Sequence, residues 1–187
     1  MSLTHEEASR LLDELPKHTK AMVTFTLATG LRESNVTELE WSQIDMQNKI
    51  AWIHADQSKN GKMIRVPLIQ DAVDVLIQQI GKHSVRFFTY RGKPIIKAGT
   101  KWWRKALERA GIENFTWHGL RHTWASWHVQ NGTPLNVLQE QGGWSSYEMV
   151  QRYAHLAPDH LSDYANKLEG IVAKSVAPDN VTRLKNR

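Results

Sequence analysis

The chain has 187 residues, 41% hydrophobic and 23% charged, which is enough for one buried core and ordinary for a globular domain. It contains no cysteine, so disulfides, thiolate nucleophiles and cysteine-ligated zinc are excluded, and its nine histidines form no HExxH or His/carboxylate cluster that predicts a metal. A formal charge of +5 and a pI near 9.5 favour an anionic partner such as nucleic acid. No apolar run reaches the roughly 18–20 residues of a membrane span, and Met1 to Thr4 carry no basic-then-apolar leader. A cytoplasmic, nucleoid-associated protein with no membrane partner is the expectation.

Thr4-His5-Glu6-Glu7 reads as a capping box, with Ala8, Leu11, Leu12 and Leu15 following at helical spacing until Pro16. Ala21 to Thr29 predicts a second, mostly apolar helix stopped by Gly30, and Glu33 to Glu40 a third with Val36 and Leu39 inward. From Lys49 the period changes to two: Ile50, Trp52 and His54 alternate with Ala51, Ile53 and Ala55. Ile64 and Val66 resume that alternation after Asn60-Gly61, a strong hairpin signal, and Pro67 closes the strand.

Asp71 to Ile80 predicts a helix with Val73, Leu76, Ile77 and Ile80 as its apolar set. Phe87-Phe88 reads as a short buried segment before a loop at Arg91-Gly92-Lys93-Pro94. Thr100 to Ala110, His118 to Gln130, Pro134 to Gln141, Ser146 to Tyr153 and His160 to Leu168 complete the helices. The polar residues 173–187 predict a loose tail. The expected fold class is mainly α with a small antiparallel β-sheet, an α+β domain over residues 1–172. Of the eight tryptophans, most are expected in the core, and Trp144 alone is given a functional role.

His118 and Arg121 stand at i and i+3 and share one helix face with His122 and Ala125, whose small side chain leaves room for an anion such as a phosphate. Arg32 follows a glycine stop at the start of a new helix, where free N–H groups also favour anions. Lys59 and Lys62 flank Asn60-Gly61, exposed and able to reach a DNA groove. Trp144 follows Gly142-Gly143 in a turn that presents its indole N–H, and Tyr153 ends a helix. Each of these has an ordinary explanation on its own: a solvated cation, a charge that discourages edge pairing, or a packing aromatic.

Taken in order, Thr29-Gly30-Leu31-Arg32, the segment from Gln57 to Leu68 with Lys59, Trp117-His118-Gly119-Leu120-Arg121-His122, Gly142-Gly143-Trp144 and Arg152-Tyr153-Ala154-His155-Leu156 resemble the tyrosine recombinases of the phage-integrase family. Trp144 and Tyr153 keep the family's interval of nine residues. The resemblance covers about residues 3 to 170. It implies a site-specific recombinase that cuts and rejoins double-stranded DNA through a 3′-phosphotyrosine link, with no ATP, metal or cofactor.

The resemblance also assigns roles. Tyr153 is the nucleophile, while Arg32 and Arg121 clamp the non-bridging oxygens. His118 accepts the phenolic proton or holds the phosphate. Lys59, with Lys62 as the alternative, protonates the leaving 5′-oxygen, and Trp144 donates its indole N–H. Arg32, Lys59, Lys62 and Arg121 are the DNA contacts.

One position departs from the pattern. Three residues after Arg32 the family usually has Glu or Asp, and here it is Asn35, with Glu33 or Glu38 as candidate compensating charges. Family members also carry an N-terminal core-binding domain that closes a clamp on DNA. This chain begins where the catalytic domain is expected, and Met1 to Leu3 fit a cloning junction. The full-length protein is expected to act as a homo-tetramer on DNA, and this piece to be a monomer. Three rivals remain open: a binding module with an impaired site, a type IB topoisomerase-like strand-passage enzyme, and a helical interaction protein.

Overall fold

Thr4 opens the first helix as its sequence demands. Its hydroxyl accepts the Glu7 N–H at 3.1 Å and the Glu7 carboxylate accepts the Thr4 N–H at 2.8 Å, closing a capping box over α1, His5–Glu14. The computed structural model describes residues 1–99, 101–158 and 165–171. Met1–Ala157 is one packed unit, and Pro158–Arg187 is a second, of which residues 165–171 form helical turns. The helix expected from His160 begins outside the described residues, and so does the whole tail from 173.

Pro16 ends α1 and also opens α2, Lys17–Thr29, where its missing N–H costs nothing. The polar run Lys17 to Lys20 hid that start, placed at Ala21 from sequence. α2 is the central helix: Met22, Val23 and Phe25 are fully enclosed, and it packs most extensively on α4 (Gln70–Ile77) and α6 (Trp117–Gln130). Gly30 caps it at φ +66°, and a Cβ there would lie 2.3 Å from the Trp124 ring. α3 is only Glu33–Thr37, not the expected run to Glu40. The chain leaves the helix there because the Leu39 carbonyl accepts the Phe87 N–H at 3.1 Å, and Glu40 pairs with Arg86 as a β-bridge.

Three antiparallel strands follow in the order β1 (Ile44–Asp45), β2 (Ile50–Ile53) and β3 (Ile64–Pro67). The alternation is real: Ala51, Ile53, Ile64 and Val66 face the core. The turn signal is not a tight hairpin, because Ile53 pairs with Ile64 and residues 54–63 all lie in the connection. Asn60-Gly61 makes a local turn within it, with the Gly61 N–H on the Ser58 carbonyl and φ +65° at Gly61.

Two amides tether this connection on either side of Lys59. Asn35, 3% exposed on α3, donates its Nδ2–H to the Gln57 carbonyl at 2.8 Å. Asn60 donates to the Gly143 carbonyl at 3.2 Å. The Gln57 side chain in turn accepts from Gln43, whose amide also donates to the Trp52 carbonyl in β2. At Asn35 the amide thus makes a bond that an ionised carboxylate could not, while its Oδ1 is buried without a partner.

α4 buries Val73 and Leu76 as expected, but Ile77 and Ile80 are 50% and 62% exposed. Ala72 and Val75 take the inward positions instead, so the stripe is rotated from the one read in the sequence. Phe87 and Phe88 are enclosed, and the expected loop at Arg91 is a tight hairpin, β4 (Thr89–Tyr90) with β5 (Lys93–Pro94), turned by positive φ at Arg91 and Gly92. α5 (Lys101–Arg109), α7 (Leu135–Gly142) and α8 (Glu148–Gln151) complete the unit. α8 ends before Tyr153, inside the span read from sequence. At the start of the chain Leu3 is 3% exposed, donates its N–H to Thr123 Oγ1 at 3.0 Å and accepts from the Trp127 indole at 3.1 Å. The fold is mainly α with two small antiparallel sheets.

Gly30→Ala should therefore destabilise by at least about 2 kcal/mol, from left-handed backbone strain plus the Trp124 clash, read by urea melts. Asn35→Asp should cost about 1–3 kcal/mol at neutral pH by losing the donor and burying a carboxylate. Burial raises that carboxyl's folded pKa above its unfolded value, so the loss is present at neutral pH and disappears as pH falls below the unfolded value. Melts at pH 7 and pH 4 would check both size and sign.

Candidate active site

α6 lies against α2 and α7, and this packing buries Arg121 to 3% exposure. Its two terminal nitrogens donate to the Gly30 carbonyl, which caps α2, and to the Gly142 carbonyl, which ends α7, both at 2.6 Å. Carbonyls at helix C-termini lack intrahelical partners and carry the negative end of the dipole, so they suit a cation. The guanidinium carbon sits 4.0 Å over the Trp144 ring. Burial, then the charge of Arg32, lowers the Arg121 pKa to about 9, while Tyr153 opposes the shift. Among the described residues no carboxylate pairs with Arg121 or Arg32.

An open pocket lies beside this guanidinium, lined by Leu31, Arg32, Glu33, Glu38, Trp117, His118 and Arg121. Arg32 enters it from the N-cap of α3, half-buried, its pKa lowered by burial. His118 is one turn before Arg121 on α6. Its pKa is lowered by burial first, and then by Arg121, Arg32, Arg152 and Lys59. Four cationic side chains therefore act on one imidazole, the exposed Lys59 of the tethered connection the least of them. Glu33 and Glu38 line the same pocket, but neither pairs with Arg32 or Arg121; the Glu33 carboxylate is turned to the Ala98 and Gly99 N–H groups, at 2.8 and 3.3 Å. A pool of positive charge without a paired anion is a seat for a phosphate.

Tyr153 follows α8 and is 5% exposed, packed with Trp124, Ala125, Val129, Leu138 and Val150. The room expected beside Ala125 is thus filled; the small side chain there accommodates the neighbouring core. The phenol oxygen lies 2.5 Å from Nδ1 of His122. Burial raises the Tyr153 pKa, and Arg152 and Arg121 oppose that rise. His122 is lowered to about 4 by burial, then by His118, the amino terminus, Arg152 and Arg121.

The structure thus brings Arg32, His118 and Arg121 onto one pocket, with Trp144 beneath Arg121 and Tyr153 beside His122, while Lys59 is exposed on the connection from β2 to β3. Lys62 is elsewhere, in a groove with Arg65, Asn136, Gln139 and Trp144. Two residues escaped the sequence reading of the site. His122 was placed on the right face but given no partner, because the phenol contact spans 31 positions. Arg152 acts on His118, His122 and Tyr153, and its only signal was adjacency to the tyrosine.

Comparison with known proteins shows the family of the chain and its fold. The sequence pattern of the phage integrase family matches residues 1–160. The integrase of Salmonella phage P22 is 50% identical, over 99% of this chain and 51% of that protein. The chain spans about half the length, or less, of the curated integrases it matches. Among solved structures, the catalytic domain of bacteriophage HP1 integrase superposes with a TM-score of 0.71 at 31% identity, covering 88% of this chain and 93% of that one. The fold also matches the Tn1549 transposon integrase in complex with a circular intermediate DNA, at a TM-score of 0.75 and 16% identity, over 89% of this chain and 65% of that one. The chain belongs to the phage integrase family.

Proposed function

We propose that residues 1–172 are the catalytic domain of a site-specific DNA recombinase that cuts and rejoins strands by transesterification through Tyr153. The observation that carries this reading is the buried, carbonyl-tethered Arg121 beside Arg32 and His118, the arginines without a paired carboxylate, next to a tyrosine. Such a cluster binds and polarises a phosphodiester.

The phenolic oxygen of Tyr153 attacks phosphorus and forms the O–P bond, and the P–O5′ bond breaks. Arg32 and Arg121 hold the non-bridging oxygens as charge builds on them. Their field is fixed in advance, so no dipoles need to reorient at the moment of reaction. His118, depressed by burial and then by its cationic neighbours, regains part of its basicity when the phosphate anion offsets those charges, and hydrogen-bonds an oxygen. Lys59, which precedes the Asn60-Gly61 turn as the family lysine does, delivers the proton to the leaving 5′-oxygen, with Lys62 as the alternative. Trp144 supports Arg121 from below and offers its indole N–H to the phosphate. Religation runs the same steps backwards with a hydroxyl from another strand, and bond energy is kept in the phosphotyrosine link.

The longer protein would add the N-terminal core-binding domain, close around double-stranded DNA and assemble as a homo-tetramer, in a cytoplasmic, nucleoid-associated setting. An impaired binding module is disfavoured, because Asn35, the one departure from the family pattern, bonds the Gln57 carbonyl and removes no phosphate contact. A strand-passage enzyme would share the cleavage step and differ in lacking transfer between two sites.

A pool of randomised nicked duplexes, in which cleavage releases a short strand and traps the adduct, tests the reaction. The protein should yield a protease-sensitive covalent adduct and recover a preferred sequence, and Tyr153→Phe should yield none. Arg32→Ala should lower the cleavage rate about 10²–10³-fold, the usual effect of one lost oxyanion donor, with little change in melting temperature.

A further inference from the structure

We propose that His122 is the group that takes the phenolic proton from Tyr153 during cleavage and returns it during religation. This rests on the reading of Tyr153 as nucleophile, and it separates two tasks that the sequence assigned to His118.

The geometry divides the two imidazoles. His122 Nδ1 is 2.5 Å from the Tyr153 oxygen, within direct proton-transfer reach. His118 lines the arginine pocket instead, and its ring meets that of His122 edge-on with centroids 4.7 Å apart. One turn of α6 thus places one imidazole toward the phosphate seat and the next against the phenol. The Tyr153 ring sits in a buried cluster with Ala125, Leu138 and Val150, and its backbone N–H and carbonyl bond to the Val150 carbonyl and the Leu156 N–H. It has little freedom to seek another acceptor.

The charges are consistent with this assignment. His122 faces His118 and Arg121 from its own helix, and Arg152 and Tyr153 from the segment after α8. Buried and surrounded in this way it is neutral at pH 7, and in the tautomer protonated on Nε2 its Nδ1 carries the lone pair that accepts from the phenol. Burial is the larger cause of its low basicity and the neighbouring charges the lesser; a phosphodiester arriving among Arg32, Arg121 and His118 offsets the charges. The O–P bond then forms as the phenol proton passes to Nδ1, and the P–O5′ bond breaks as the 5′-oxygen takes a proton from Lys59. The His122 imidazolium keeps the transferred proton beside the phosphotyrosine and gives it back to the tyrosine oxygen when a new 5′-hydroxyl attacks.

The test uses the duplex sequence recovered as above, once with its ordinary scissile phosphate and once with a 5′-bridging phosphorothiolate. The sulfur leaving group needs no proton, so only the nucleophile's proton remains to be moved. His122→Ala should cleave both substrates about 10²-fold more slowly at pH 7, with the rate rising about tenfold per pH unit toward phenol ionisation and added imidazole restoring part of it. His122→Gln offers the phenol a hydrogen-bond acceptor that cannot take a proton. It should keep the melting temperature and still lose the rate. A Gln variant as fast as the unsubstituted protein, or a loss in His122→Ala that is independent of pH and imidazole, would overturn the assignment and leave His122 a packing residue. If the unsubstituted protein formed no adduct, the reading of Tyr153 would fall first and this inference with it. An adduct indifferent to His122 would sink this inference alone.

Discussion

The site depends on one buried cation. Arg121 lies 3% exposed with two of its donors spent on the carbonyls that end α2 and α7, and its face on Trp144. Charge-assisted hydrogen bonds of this kind contribute about 1.5–3 kcal/mol each, which offsets part of the desolvation. The same bonds fix the geometry. The Gly30 carbonyl is two residues before Arg32, and the Gly142 carbonyl is two residues before Trp144, so one side chain sets the separation of three elements of the pocket. A guanidinium already tethered and desolvated needs no reorganisation when negative charge arrives, which is the condition under which fixed donors are most effective.

Around that centre the fold supplies two arms, each held by ordinary hydrogen bonding and packing. The first is the connection from β2 to β3, pinned by Asn35 and Asn60 so that the intervening Lys59 acts on His118. The second is the turn after α8, which sets the Tyr153 ring into a small apolar cluster and leaves its oxygen facing His122. Neither arm belongs to the helix that carries Arg121, yet both converge on its first two turns. Gly30 and Gly142 make this convergence tight: Trp124 and Trp144 stand where their β-carbons would be. The glycines, tryptophans and arginine therefore form one packing problem with one solution, in which a larger residue at either glycine would push an aromatic ring toward the site.

Much of this was legible in the chain. The capping box at Thr4, the stop at Gly30 and the inward alternation of Ala51, Ile53, Ile64 and Val66 are local signals, and the structure follows them. The family resemblance rested on residues in order, and the catalytic-domain fold it implied is the one observed. What failed was non-local. Asn60-Gly61 turns the chain as such pairs do, but tethers from α3 and from Gly143 lengthen the connection around it. Ile77 and Ile80 fit an apolar stripe, yet Ala72 and Val75 are the residues that meet α2, because close packing against that helix favours their smaller side chains. The partner of Tyr153 lies 31 residues away on another helix, a distance no local pattern spans. Asn35 looked like a lost charge because its neighbour in space, the Gln57 carbonyl, is invisible in sequence.

The central claim is that Arg121 is pre-set by two backbone carbonyls to receive a phosphoryl group together with Arg32 and His118. A crystal structure with orthovanadate, which mimics the pentacoordinate phosphorus, tests it most directly. The account predicts vanadate oxygens within hydrogen-bond distance of Arg32, His118 and Arg121, with the Arg121 bonds to Gly30 and Gly142 intact. Vanadate bound elsewhere, or bound only after Arg121 has left both carbonyls, would contradict it.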